Sequence, residues 1–434
     1  DMHMHGVDFP EAVIALVKEG KLPISRVDDA CSKILMAKFK LGLFENRFVD
    51  IEKIPQNIFT SDHKFTALET ARKGIVLLKN SNLLPLNKDI ESKKILVTGP
   101  NANNQSILGD WHAAQPEENV TTIYEGIKEL GESKGYDVVF HDSNENIRKI
   151  SNKDIQNTLK ASKGMDYVVV VVGDNSMRYK WKDKTAGENM ARADLNLAGK
   201  QLDLVRSLKE INNNVIVVYV NGKPISEPWI QNNIPSIIEA WEPGNLGGKA
   251  VAEIIFGDIN PSGKLPLTVP RSVGQLQMIY NHKPSQYFHK YAFEKNTPLY
   301  SFGYGLSYTK FNYSKPKLLN TNFDTNSIIK VQVDVTNTGD MDGDEVVQLY
   351  IRDKVSSVTR PVKELKGYKR VHIKVGETKN VIFEITPESL AFYDIDMNFV
   401  VEPGSFNIMT GSSSHFKSLK TIELTILNKI EFNN

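Results

Sequence analysis

Residues 167–173 read Tyr-Val-Val-Val-Val-Val-Gly, and no other stretch of the chain limits its fold as much. A strand turns successive side chains to opposite faces, so one that is apolar at every position must be covered on both. Such a strand belongs between two layers of helices. Lys94-Ile95-Leu96-Val97-Thr98-Gly99-Pro100 is a second buried strand, running into a glycine turn. A helix from near Leu197 through Leu208 precedes the strand Val215–Val220. The strand Ile234–Trp241 then leads to a helix through Ala250, Val251 and Ile254. From about residue 70 to 285 this alternation predicts an open parallel α/β sheet with helices on both sides.

Beyond about residue 310 the apolar period becomes two. Ile329–Val335, Val346–Ile351, Val371–Val375 and Val381–Ile385 alternate or run apolar, with turns at Asn337-Thr338-Gly339-Asp340, Gly367, Gly376 and Pro403-Gly404. Short strands so punctuated, without helices, predict a β-sandwich of roughly 100 residues. Between the two domains, Asn296–Tyr308 reads as a linker that packs. At the other end, Asp1–Val7 has neither an initiator methionine nor a signal-peptide pattern and reads as the end of a strand or loop. A helix follows, with Asp8 to Glu11 resembling a capping box, Pro10 in the first turn, an apolar stripe of Val13, Leu16 and Val17, and a stop at Gly20. A second opens at Ser25, buries Val27, Ala30, Cys31, Ile34, Leu35 and Phe39, and stops at Gly42. Either these helices lie on the next domain, or the chain is the C-terminal portion of a larger protein.

With 53 Lys+Arg against 52 Asp+Glu the net charge is +1, which argues against nucleic-acid binding. No apolar run is long enough to span a membrane. Cys31 is the only cysteine, so neither a disulfide framework nor a thiolate zinc site can form. Gly244-Asn245-Leu246-Gly247-Gly248 lacks the spacing of a phosphate loop, and its small residues suit close helix–sheet packing. His3 and His5 could share a strand face, but no third ligand accompanies them, and no metal site is assigned. In Ser61-Asp62-His63 the hydrolase reading yields to the plainer one, in which Ser61 or Thr60 caps a helix. The polar loop Lys184–Leu195 follows the valine strand, and ligands in open α/β sheets bind beyond the carboxyl ends of strands. Glu188 follows a glycine there and Arg192 stands four residues on. A general-acid role for Glu188 needs a second carboxylate, which the residues alone leave unidentified.

The chain resembles the C-terminal part of family 3 glycoside hydrolases, the β-glucosidase family. Several separate segments carry the resemblance. Lys38–Phe44 is similar to the segment leaving the family's barrel, and Ala71–Asn80 with Leu84-Pro85-Leu86 to the start of its second domain. Gly257–Pro266 and Phe302–Tyr308 are similar to its late second-domain and linker motifs. The fold implied is multidomain, α/β plus all-β. Residues 1–48 would be the remnant of a TIM-like barrel, 49–70 a linker, 71–285 an α/β sandwich, 286–310 a second linker and 311–434 a fibronectin type III-like domain. Family members are retaining enzymes with an aspartate nucleophile on the barrel and an acid/base glutamate commonly on the second domain. Glu188 matches that glutamate in its glycine–glutamate–x–x–x–arginine setting, and Arg192 is the arginine, a candidate for substrate binding. Leu108-Gly109-Asp110-Trp111 is similar to the loop reaching the substrate cleft, which makes Trp111 a candidate for sugar stacking or loop anchoring. A second tryptophan found in that loop of some members is absent here.

Asp1-Met2-His3-Met4 resembles the tail of a barrel segment that lies after the nucleophile, so the nucleophile is expected to precede residue 1. The resemblance therefore implies part of an exo-β-glycosidase, foremost a β-glucosidase, inactive unless the barrel is supplied in cis or by another chain. Its substrate would be an oligosaccharide or β-glycoside, with no cofactor and no metal, a homodimer left open, and a periplasmic or secreted location. β-Xylosidase activity and a non-catalytic carbohydrate-binding or scaffold role are the alternatives.

Overall fold

The computed structural model describes residues 1–86, 93–285, 290–320 and 327–432. It divides into two compact units, Asp1–Lys64 and Phe65–Asn434. Residues 286–289 of the expected second linker lie outside the described residues.

The first unit holds helices α1 (Phe9–Lys18), α2 (Ile24–Lys40) and the single turn α3 (Ile54–Asn57). Gly20 and Gly42, at φ +70° and +66°, stop α1 and α2 as their sequences predict. Two expectations fail. Asp8 makes no side-chain cap bond, and α2 opens after Pro23 rather than at Ser25. Neither helix buries a residue: Leu35, Met36 and Phe39 of α2 are all exposed. Two helices and a turn are a single layer, and an apolar stripe needs a second layer to be covered.

Helix α4 (Ser61–Gly74), whose first turn Thr60 caps by accepting the His63 N–H at 3.3 Å, carries the chain into the second unit. Its α/β part comprises β1 (Val76–Asn80), β2 (Lys94–Thr98), α5 (Ile123–Ser133), β3 (Asp137–His141), α6 (Asn152–Ala161), β4 (Tyr167–Gly173), α7 (Gln201–Ile211), β5 (Val215–Val220), α8 (Pro228–Asn233), β6 (Ser236–Trp241) and α9 (Gly247–Phe256). The sheet order is β1-β6-β5-β4-β2-β3. Pairs among β2 to β6 are parallel, but β1 runs antiparallel to β6, so the sheet is mixed at one edge. Val168 through Val172 are completely buried, alternating between a core beneath α5 and α9 and another beneath α6 and α7. The helix expected from Leu197 starts at Gln201, because Gly199 at φ +62° leaves the helical region.

Of the glycines near residue 247, Gly248 serves helix–helix rather than helix–sheet contact, whereas Gly247 faces Pro243 and Gly244 takes a left-handed turn at φ +81°. A Cβ on Gly248 of α9 would stand 1.9 Å from the Thr122 carbonyl oxygen, and one on Gly126 of α5 would stand 2.2 Å from that of Gly248. Gly248→Ala therefore forces α5 and α9 apart and costs about 1–3 kcal/mol. Urea unfolding checks this as a lower midpoint at unchanged slope.

The all-β part pairs a sheet of β7 (Phe311–Tyr313), β8 (Lys317–Leu318), β9 (Ile329–Asn337) and β12 (Thr378–Ile385) with one of β10 (Gly343–Asp353), β11 (Glu364–Ile373), β15 (Gly404–Gly411) and β16 (Leu419–Ile426). A small third sheet joins β13 (Phe392–Tyr393), β14 (Phe399–Val401) and β17 (Ile430–Glu431). Val331, Val333 and Val335 pack with Val347, Leu349 and Ile351 in the core between the sheets. The stretch before β7 packs as expected. Tyr304 and Tyr308 donate their hydroxyls to the carbonyls of Leu78 and Ile254, and Gln348 of β10 donates to the Gly303 carbonyl. Lys264 reaches Glu345 at 3.2 Å, so the sandwich is tied to the α/β part by buried polar bonds.

Candidate active site

Strand β3 lies on one side of β2 and β4 on the other, so the loops leaving β2 and β4 diverge at their carboxyl ends. That is where an open α/β sheet has its crevice. A cleft of about 290 Å³ occupies this place. Its walls come from four strand ends: Asp110 after β2; Ser176, Ala186, Gly187, Met190, Arg192 and Leu195 after β4; Gly222 and Lys223 after β5; Glu242 after β6.

Glu188 sits on a tight turn of the β4 loop. Gly187 before it and Asn189 after it have φ of +96° and +58°, the region that glycine and asparagine tolerate best, and Met190 N–H closes the turn on the Gly187 carbonyl at 3.0 Å. This geometry lifts the Glu188 side chain to the surface, where its carboxylate pairs with Arg178. The Arg178 guanidinium in turn lies 3.8 Å from the centre of the Trp111 ring. Trp111 is 75% exposed, with one face taken by the arginine. The structure thus brings Glu188 and Trp111 to a common arginine across the β2 and β4 loops.

Beneath the turn lies a lysine that the sequence did not mark. Lys184 is fully buried, with its ammonium 2.9 Å from Asp110 Oδ1 and 3.1 Å from the Glu188 carbonyl oxygen. The Glu188 N–H donates to Asp110 Oδ2 at 2.5 Å. Burial works to raise the Asp110 carboxyl, but the Glu188 N–H, the Lys184 ammonium and Arg178 outweigh it and hold the group below the ordinary carboxylate range. A Cβ on Gly187 would stand 2.6 Å from Asp110 Oδ2, so only glycine lets the turn close on this pair.

Arg192 also lines the cleft, and three of its five N–H groups are engaged in its wall. They donate to Asp174 at 3.0 Å, Asp194 at 2.6 Å and the Asn196 carbonyl at 2.9 Å. Asp174, buried at the end of β4, also faces Lys223 at 3.2 Å. Arg192 therefore braces the cleft wall, binding the end of its own loop to β4. Glu242 accepts a hydrogen bond from Ser176 at 2.8 Å; burial first, then the charges of Asp110 and Asp174, push its carboxyl up. His3 stacks on Phe9, with ring centres 4.4 Å apart. No group of three or more His, Cys, Asp or Glu side chains among the described residues is placed to hold a metal ion, and no described helix is long and apolar enough to cross a membrane.

A profile of the glycosyl hydrolase family 3 C-terminal domain matches residues 75–308, and one of the fibronectin type III-like domain matches residues 345–414. The chain is 42% identical over 92% of its length to a beta-xylosidase of Formosa agariphila and 34% identical over 95% to a periplasmic beta-glucosidase of Salmonella typhimurium. It covers 55% and 57% of those proteins, so it spans about half the length of the curated relatives it matches. Among solved structures, 98% of the chain superposes on 62% of a beta-glucosidase involved in saponin metabolism from intestinal bacteria, with TM-score 0.88 and 33% identity. A Listeria innocua beta-glucosidase in complex with laminaribiose matches 95% of the chain and is itself covered over 56%, with TM-score 0.84 and 31% identity.

Proposed function

Because this chain belongs to family 3 of the glycoside hydrolases, we propose that it is the C-terminal part of a retaining exo-β-glycosidase with Glu188 as the acid/base. The observation that carries the reading is the turn that raises Glu188 beside Trp111 while its backbone is tied down beneath. Retention needs two carboxyl groups about 5–5.5 Å apart. One attacks the anomeric carbon; the other protonates the departing oxygen and then takes a proton from the water that releases the sugar. Glu188 fills the second role. Its partner, the nucleophile, is supplied by a barrel domain in cis or on another chain. Trp111 offers its free face to a sugar ring at the cleft mouth, while Arg192 acts through the wall it braces. The protein works in the periplasm or outside the cell, as the name of the Salmonella relative suggests.

The substrate is a terminal β-linked sugar at a non-reducing end, glucose in the first instance. Xylose is the second reading, favoured by the 42% identity to a beta-xylosidase. The test compares aryl β-glucoside and aryl β-xyloside hydrolysis by the barrel-containing protein and by this chain alone. The expected result is cleavage with retention, seen by proton NMR, in the first sample and none in the second. Turnover by the chain alone would place both carboxylates within these residues and refute the shared-site reading.

A further inference from the structure

We infer that Asp110, acting with buried Lys184, is the positioning residue for Glu188, and that this pair sets where the acid/base stands. The inference rests on the acid/base reading of Glu188 and extends it. Both backbone polar groups of Glu188 end on one ion pair: its N–H on Asp110 Oδ2 at 2.5 Å, and its carbonyl oxygen on the Lys184 ammonium at 3.1 Å. The pair itself closes at 2.9 Å. An exposed side chain on a left-handed turn has little packing to hold it, so these polar tethers fix its origin.

The two members of the pair come from opposite sides of the sheet's crossover, Asp110 from the loop after β2 and Lys184 from the loop after β4, 74 residues apart. Lys184 side-chain exposure is 0% and that of Asp110 is 14%. Attraction between charges withdrawn from water in this way is screened far less than at the surface. Gly187 completes the device, because any Cβ there would occupy the space in which Asp110 meets the turn. Displacing a reacting group by about 1 Å costs on the order of 10²-fold in rate. A tether of the acid/base therefore acts on its two proton transfers, of which protonation of the departing oxygen is the one that kcat/KM reads. It leaves sugar binding alone.

The test uses the barrel-containing protein with Asp110→Asn, and with Glu188→Gln in parallel, on aryl β-glycosides whose phenols span a range of acidity. Asp110→Asn is expected to lower kcat/KM by roughly 10- to 100-fold for the least acidic phenol. For a dinitrophenol glycoside it should change by less than about threefold, with the inhibition constant of a non-hydrolysable sugar unchanged. Asp110→Asn leaves a buried ammonium without its counter-charge, so Asp110→Asn/Lys184→Met, which removes both charges, is measured beside it. Circular dichroism establishes that each is folded. The double variant should show the same dependence on the leaving group. A loss equal for every phenol, or no loss, while Glu188→Gln keeps a leaving-group-dependent loss, overturns the inference and spares the acid/base reading. A Glu188→Gln loss that ignores the leaving group overturns the reading beneath it.

Discussion

Glu188→Gln lowers kcat/KM for alkyl β-glycosides at least about 10²-fold in the barrel-containing protein, whereas dinitrophenyl glycosides keep theirs within about tenfold. Glutamine preserves the size of the side chain but cannot give a proton to the departing oxygen. An alkoxide needs that proton and a dinitrophenolate does not, so the defect grows with the basicity of the leaving group. The second half of the reaction behaves differently. Water attacking the glycosyl-enzyme needs the same residue as a base, whatever sugar derivative was loaded. For dinitrophenyl substrates, kcat therefore falls although kcat/KM survives, and the intermediate accumulates as a burst. Azide needs no base and should restore kcat with formation of a glycosyl azide of retained configuration. Stopped-flow release of dinitrophenolate, with and without azide, reads both effects. A uniform loss across leaving groups with no azide rescue would remove Glu188 from the acid/base role.

The parts of this fold that the sequence revealed are those where burial alone decides. Val168–Val172 could be nothing but a strand covered on both faces, and the period-two runs after residue 328 could only alternate between a core and water. Strand direction has no such mark. Val76–Asn80 is as apolar as a parallel edge strand would be, and only its pairing with β6 makes it antiparallel. The starts of α5 and α6 do carry a local mark, since Thr122 with Glu125 and Ser151 with Asp154 form capping boxes. In the site, Glu188 and Trp111 are marked by the family resemblance of the segments that hold them. Lys184 could not have stood out. In the sequence it is one more lysine in a polar loop; its burial and its pairing with Asp110 of the β2 loop arise only in the fold. Arg192, marked by the resemblance as a candidate for substrate binding, lines the cleft, and its bonds to Asp174 and Asp194 have no sign in the sequence.

A buried carboxyl on β6 also makes the stability of the chain depend on pH in a way opposite to most carboxylates. Glu239, within β6, is 3% exposed and accepts the Trp241 N–H at 3.0 Å. Burial outweighs that bond, the Asn221 amide and the Lys223 charge, and with Asp174 nearby pushes the carboxyl up to about 8 from 4.5. Between those two values the unfolded chain has lost this proton while the folded chain keeps it. Unfolding then releases a proton, and stability falls as pH rises, by about 1.4 kcal/mol per pH unit for one such group. Below pH 4.5 both states hold the proton, and above 8 neither does, so the loss is confined to that window. Glu242 is raised by burial as well and adds to the decline with the same sign. Glu239→Gln carries no charge to desolvate and keeps an oxygen for the Trp241 N–H. Its stability should match that of the native chain near pH 4.5 and exceed it by several kcal/mol at pH 8.5. Urea midpoints of the variant and the native chain, measured from pH 4.5 to 8.5, therefore diverge steadily. Curves that stay parallel would mean that Glu239 is ionised in the folded chain, held by Lys223 despite its burial.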